Sequence, residues 1–230
     1  MNAPHPHTAG RHESSHHVML EQLAGRGIRD PRVLGAMAAV PRVLFVPPAL
    51  VDQAYADRRL PLSPGQTMTP PYVVAVMACA AQLLPKDRVL EIGTGSGYSA
   101  AVLSELVDHV DTVERLPSLA ASATERLATL GYRSIDVHCG DGSLGWPTRA
   151  PYDAIIVTAC SPQIPGTLLR QLSFGGRLVM PVGDEHRQHL VTVRRVSVDQ
   201  CAFDDLGPVQ CGPLAGDLLT GGPSGLVRRA

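Results

Sequence analysis

Val89-Leu90-Glu91-Ile92-Gly93-Thr94-Gly95-Ser96-Gly97-Tyr98-Ser99-Ala100-Ala101 is the stretch that decides the fold. Val89 to Ile92 is a short apolar run of the kind found in a buried strand, and Gly97 to Val107 reads as a helix. The glycines between them let the backbone approach a ligand closely, and the helix start supplies N–H groups without intrahelical partners. A dinucleotide fingerprint, G-x-G-x-x-G, would need glycine at Tyr98. The chain instead carries G-x-G-x-G, with an acid two positions before the first glycine. A glycine turn that binds nothing is the competing reading.

Outward from this turn, strands and helices alternate. His109–Glu114, Ile135–Cys139, Asp153–Thr158 and Arg177–Val182 read as further strands, and Pro117–Leu130 and Pro165–Leu172 as helices. Short connections between them imply a mostly parallel sheet with helices on both faces, an α/β fold of the Rossmann-like type. Leu190–Val198 and a segment near Val209 suggest an antiparallel edge. Upstream, Asp30 as N-cap and Pro31 at the first helical position start one helix. Thr69-Pro70 opens another, running from about Pro71 to Leu84. The stretch from Arg58 to Pro71 is rich in turn residues and poor in periodicity. Order is expected to begin near Val18, giving a single domain over residues 18–219. Residues 1–17 are expected to form a disordered, His-rich tail and residues 220–230 a flexible, Gly-rich one.

Composition narrows the function classes. A net charge of −1 leaves no overall basic footprint for nucleic acid or a membrane surface. No run reaches the ~18 uninterrupted apolar residues of a membrane span. The five cysteines are scattered, with no CxxC pair, which suits reduced thiols in a cytoplasmic protein. His5, His7, His12, His16 and His17 are irregularly spaced and lack Cys or carboxylate partners, so no metal is expected there. His109 and His138 sit in strand-like contexts and read as structural.

Two more acids fall where the first one does, at strand ends. Glu114 closes the second strand, 21 positions after Gly93, where an acid accepts hydrogen bonds from ribose hydroxyls. Asp141, in Cys139-Gly140-Asp141-Gly142, follows the third and would face an adenine amine, although Gly-Asp-Gly also makes an ordinary turn. The carboxyl ends of strands in an open α/β sheet are where such folds bind ligands.

The glycine turn with its preceding acid resembles motif I of the class I methyltransferases, whose donor is S-adenosyl-L-methionine. More of the chain resembles one family. VPRVLFVP (40–47), AYADRRLPLSPGQTMTPPYVVA (54–75), VLEIGTGSGYSAAVLSEL (89–106), GDGSLGWPTRAPYDAIIVTA (140–159) and QLSFGGRLVMPVG (171–183) are similar to the protein-L-isoaspartate O-methyltransferases. That resemblance implies S-adenosylmethionine-dependent esterification of L-isoaspartyl residues in damaged proteins or peptides. It puts the donor on Glu91, Gly93, Thr94, Gly95, Gly97, Glu114, Asp141 and Gly142, under a loop shaped by Gln66 and Thr67. The family's catalytic serine falls on Thr69, whose hydroxyl would hold the acceptor carboxylate; Thr69 is also a competent N-cap, and the two roles are compatible. Gln210-Cys211-Gly212-Pro213-Leu214 departs from an Arg-Phe-Val-Pro-Leu-like segment common in the family. This leaves a second expectation, a tailoring methyltransferase acting on Asp in one natural-product peptide. An RNA methyltransferase of similar fold and a non-catalytic binder of the same nucleoside are the remaining readings.

Overall fold

The computed structural model describes residues 6–62 and 65–216, with side chains from residue 12 onward. Its centre is a sheet of seven strands: β3 (Val89–Ile92), β4 (Val110–Glu114), β5 (Ile135–Cys139), β6 (Tyr152–Val157), β7 (Leu172–Gly183), β8 (Gln188–Arg195) and β9 (Cys201–Val209). Their order is β5-β4-β3-β6-β7-β8-β9; β5 to β7 pair in parallel, and β8 and β9 add antiparallel. The α/β class and the antiparallel edge are therefore as expected. Chain order reverses between β3 and β6, because β4 and β5 lie on one side and β6 onward on the other. Such a switch point opens a crevice beyond the strands' carboxyl ends.

Every residue of β3 is buried, which requires cover on both faces. Val89, Ala154 and Ile156 point into the larger apolar cluster, shared with α2 (Pro31–Ala39), α3 (Pro71–Ala81) and α4 (Tyr98–Ser104). Leu90, Ile92, Ile155 and Val157 point the other way, against Leu168 of α6 (Gly166–Arg170) and Leu178 and Met180 of β7. The fifth helix, α5 (Pro117–Thr129), sends Leu127 into the larger cluster. Helix α2 begins as expected, with the Asp30 carboxylate accepting the Arg32 N–H at 2.9 Å and Pro31 following it.

Two segments differ from expectation. The helix before α2, α1 (Pro6–Gly25), begins well before Val18, so residues 6–17 are helical rather than a disordered tail. The reason is packing at its C-terminal half: Met19 and Leu23, one helical turn apart, are both 2% exposed. His16 extends the contact, stacking on Tyr55 with ring centroids 4.8 Å apart and placing Nε2 2.9 Å from the Met37 carbonyl. Residues 1–5 and the expected tail at 220–230 lie outside the described residues. Second, the turn-rich stretch contains a small hairpin, β1 (Leu60–Leu62) with β2 (Gln66–Met68), apart from the main sheet.

No helix among the described residues is long and apolar enough to cross a membrane. His138 stacks on Trp146, with ring centroids 4.2 Å apart, and its Nε2 lies 2.7 Å from Asp111 Oδ1. Because Leu23 is buried against α2 and α3, Leu23→Ala should lower unfolding free energy by about 2–4 kcal/mol in urea titration. A loss under ~0.5 kcal/mol would show that α1 is not part of the core.

Candidate functional site

The crevice at the switch point is a groove of about 290 Å³. It is lined by Ile92 at the end of β3, Gly93 and Gly95 after it, Val113 and Glu114 at the end of β4, and Gly142 and Thr158, which follow β5 and β6. Gln66 and Thr67 of β2 line it as well, together with Gly212 to Ala215. A smaller cavity of about 30 Å³ adjoins it, between the glycine turn and Thr67, Met68 and Thr69.

The glycine turn needs glycine for two reasons. Gly93, Gly95 and Gly97 have φ of 96°, 53° and 87°, in the left-handed region. At Gly93 a Cβ would also lie 2.4 Å from the Thr158 hydroxyl oxygen, which is held by the Ile92 and Gly93 carbonyls. The turn is fastened to β4 from two sides. Glu114 accepts the Gly95 N–H at 2.9 Å through Oε2 and the Leu116 N–H at 3.0 Å through Oε1. Deeper down, the Thr94 and Thr112 hydroxyls lie 2.7 Å apart, and Thr112 donates to Glu91 Oε2 at 2.6 Å.

The expected site residues thus divide. Gln66, Thr67, Gly93, Gly95, Glu114 and Gly142 line the groove, and Thr67, Thr69, Gly93, Thr94 and Gly95 line the small cavity. Gly97 stands behind the turn as the residue before α4, where a Cβ would crowd Leu127 at 3.2 Å. Glu91 lines neither space: it is fully buried beneath the turn and bonded to Thr112. Asp141 Oδ1 accepts the Ser143 N–H at 2.9 Å and its hydroxyl at 2.8 Å, capping a short turn at Gly142–Leu144. Thr69 is not an N-cap, since Pro70 holds that position with no side-chain bond. Thr69 is instead part of the wall of the small cavity.

Thr112 and Thr158 carry no signal in the sequence, whereas the segment from Gln210 to Leu214, singled out there, does reach the groove, through Gly212 to Leu214. Gln188 fixes that segment, accepting the Cys211 N–H at 2.6 Å and donating to its carbonyl at 3.2 Å. Cys160 completes the tie, donating its N–H to the Gly212 carbonyl and accepting from the Leu214 N–H. Burial pushes the Cys211 thiol up to about 12 and raises that of Cys160, so neither presents a thiolate beside the groove. All five cysteines are free.

Burial also pushes the Glu91 carboxyl up to about 7, aided by the charge of Glu114 and opposed by the Thr112 and Ser99 hydroxyls. The folded state then holds its proton more tightly than the unfolded chain, whose ordinary value is 4.5. This contribution to stability is present below about 4.5 and lost as pH rises through about 7. Glu91→Gln should match the wild type near pH 4 and exceed it at pH 8 by on the order of 2–3 kcal/mol. Chemical denaturation at both pH values checks this, and a difference independent of pH would contradict it.

Comparison with known proteins gives this geometry its relatives. The family model for protein-L-isoaspartate(D-aspartate) O-methyltransferase matches residues 13–218. A protein-L-isoaspartate O-methyltransferase of Protochlamydia amoebophila is 54% identical over 197 residues, covering 85% of this chain and 94% of that protein. One from Geotalea uraniireducens is 56% identical over 200 residues, 86% of this chain and 91% of its own. A solved protein-L-isoaspartate O-methyltransferase superposes with a TM-score of 0.79 at 27% identity, over 88% of this chain and 67% of that one. The chain belongs to the protein-L-isoaspartate(D-aspartate) O-methyltransferase family.

Proposed function

We propose that the groove binds S-adenosyl-L-methionine and that the protein esterifies L-isoaspartyl carboxylates of damaged proteins or peptides. The observation that carries this reading is the placement of Gly93, Gly95, Glu114 and Gly142 along one groove at the switch point, together with Gln66 and Thr67. The residues fit such a donor. Glu114 keeps carboxylate lone pairs for ribose hydroxyls beyond its two backbone bonds. Gly142 lines the groove where the adenine would lie, its missing Cβ making way for Ile92, and Asp141 beside it would accept from the exocyclic amine. The positive-φ turn brings bare backbone to the amino-acid end.

When bound, the donor supplies a methyl group on a sulfonium, with a neutral thioether as leaving group. Little further chemistry is needed from the chain. The acceptor carboxylate is ionised at neutral pH. The bound donor would offer its activated methyl to one carboxylate oxygen, and no residue of the chain would need to move a proton. The chain's task is alignment and partial exclusion of water. Thr69 holds the carboxylate through its hydroxyl, Gln66 and Thr67 cover the reacting atoms, and the Gly212–Ala215 wall shapes the space for the acceptor peptide.

Labelled methyl should pass to a short isoaspartyl peptide as a base-labile ester, with little transfer to the matching aspartyl peptide. Activity on the aspartyl peptide alone would establish the tailoring reading instead. Thr69→Val should lower kcat/KM about 10–100-fold, equivalent to one hydrogen bond to a charged group, while Thr69→Ser keeps most activity. Unchanged turnover in Thr69→Val would remove Thr69 from the mechanism.

A further inference from the structure

The VPRVLFVP segment holds a charge that the reaction described above does not use. Arg42 is 0% exposed, one of the largest fully buried side chains among the described residues. Its Nε donates to the Ala54 carbonyl at 2.9 Å and its Nη2 to the Thr69 carbonyl at 2.9 Å, while the guanidinium carbon lies 4.7 Å from the Tyr98 ring centroid. Among the described residues Nη1 has no hydrogen-bond partner, and Arg42 forms part of the wall of the 30 Å³ cavity between Thr69 and the glycine turn. The carboxylate nearest in influence, Asp57, is engaged elsewhere, by Arg26 and the Tyr72 N–H. A buried cation with neutral partners alone carries a large desolvation cost, which an anion in hydrogen-bond contact offsets. Arginine remains charged under such burial.

We propose that Arg42 Nη1 is a carboxylate-binding subsite, filled when a ligand brings its carboxylate into the small cavity beside Thr69. This rests on the donor and acceptor reading above, in which two ligands carry a suitable group: the amino-acid end of the donor and the isoaspartyl acceptor. The cavity touches both the glycine turn and Thr69, so it adjoins the expected position of each. Arg42 has a second consequence for the site. By holding the Thr69 carbonyl, it couples occupation of the cavity to the placement of the Thr69 hydroxyl.

Ligand pairs differing only in this charge test the proposal on the wild-type protein. One pair is S-adenosylhomocysteine and its carboxamide. The other is an isoaspartyl peptide and its α-carboxamide, as competitive inhibitors. The wild type should prefer the charged member of one pair by at least tenfold, and that pair names the source. Arg42→Lys should erase most of the preference in that pair alone. A crystal structure of the wild type with the preferred ligand should place a carboxylate oxygen within about 3.2 Å of Nη1, a test that stands even if the variant fails to fold. No preference in either pair, a preference unchanged in folded Arg42→Lys, or a carboxylate bound elsewhere overturns the proposal. Methyl transfer to the isoaspartyl peptide is scored separately, so active wild type without a charge preference sinks the subsite and leaves the enzyme reading standing.

Discussion

The site depends on how the end of β4 holds the glycine turn after β3. A turn with three positive-φ glycines has little conformational preference of its own, so its shape must come from outside. Glu114 supplies it by accepting the Gly95 N–H, and the Thr94–Thr112–Glu91 chain supplies a second tie beneath. Parallel pairing of β3 and β4, with Ile92 opposite Val113, sets the register that makes both ties reach. The groove is the space left above them.

This arrangement gives the three strand-end acids different tasks. Glu114 lies on the groove and is at once structural and free to meet a ligand. Asp141 caps the turn that carries Gly142 into the groove. Glu91, buried and held toward its neutral form, works from below as part of the turn's foundation. Thr69, whose carbonyl Arg42 pins, is part of the wall of the adjoining small cavity. A methyl transfer to an ionised carboxylate needs little beyond such positioning.

Much of this was legible in the sequence, because the signals were local. The apolar run Val89–Ile92, the alternation of strands with helices and the glycine spacing gave the sheet, its order of elements and the position of the groove. The Asp30-Pro31 cap was likewise readable. What escaped depended on contacts distant in the chain. Helix α1 has a polar first half, and only its packing through His16, Met19 and Leu23 extends it. The β1–β2 hairpin lacks periodicity, since each strand is three residues long. That Glu91 would face Thr112 rather than the groove, and that Arg42 would be buried against Thr69, follow from tertiary placement alone.

The central claim is that the groove above Glu114 receives the methyl donor. Calorimetric titration of the wild type and Glu114→Gln with S-adenosylhomocysteine tests it most directly. The variant should remain folded and bind at least tenfold more weakly, since the charge that fastens the Gly95 N–H, and that we propose accepts the ribose hydroxyls, is gone. Undiminished affinity in folded Glu114→Gln would place the donor elsewhere.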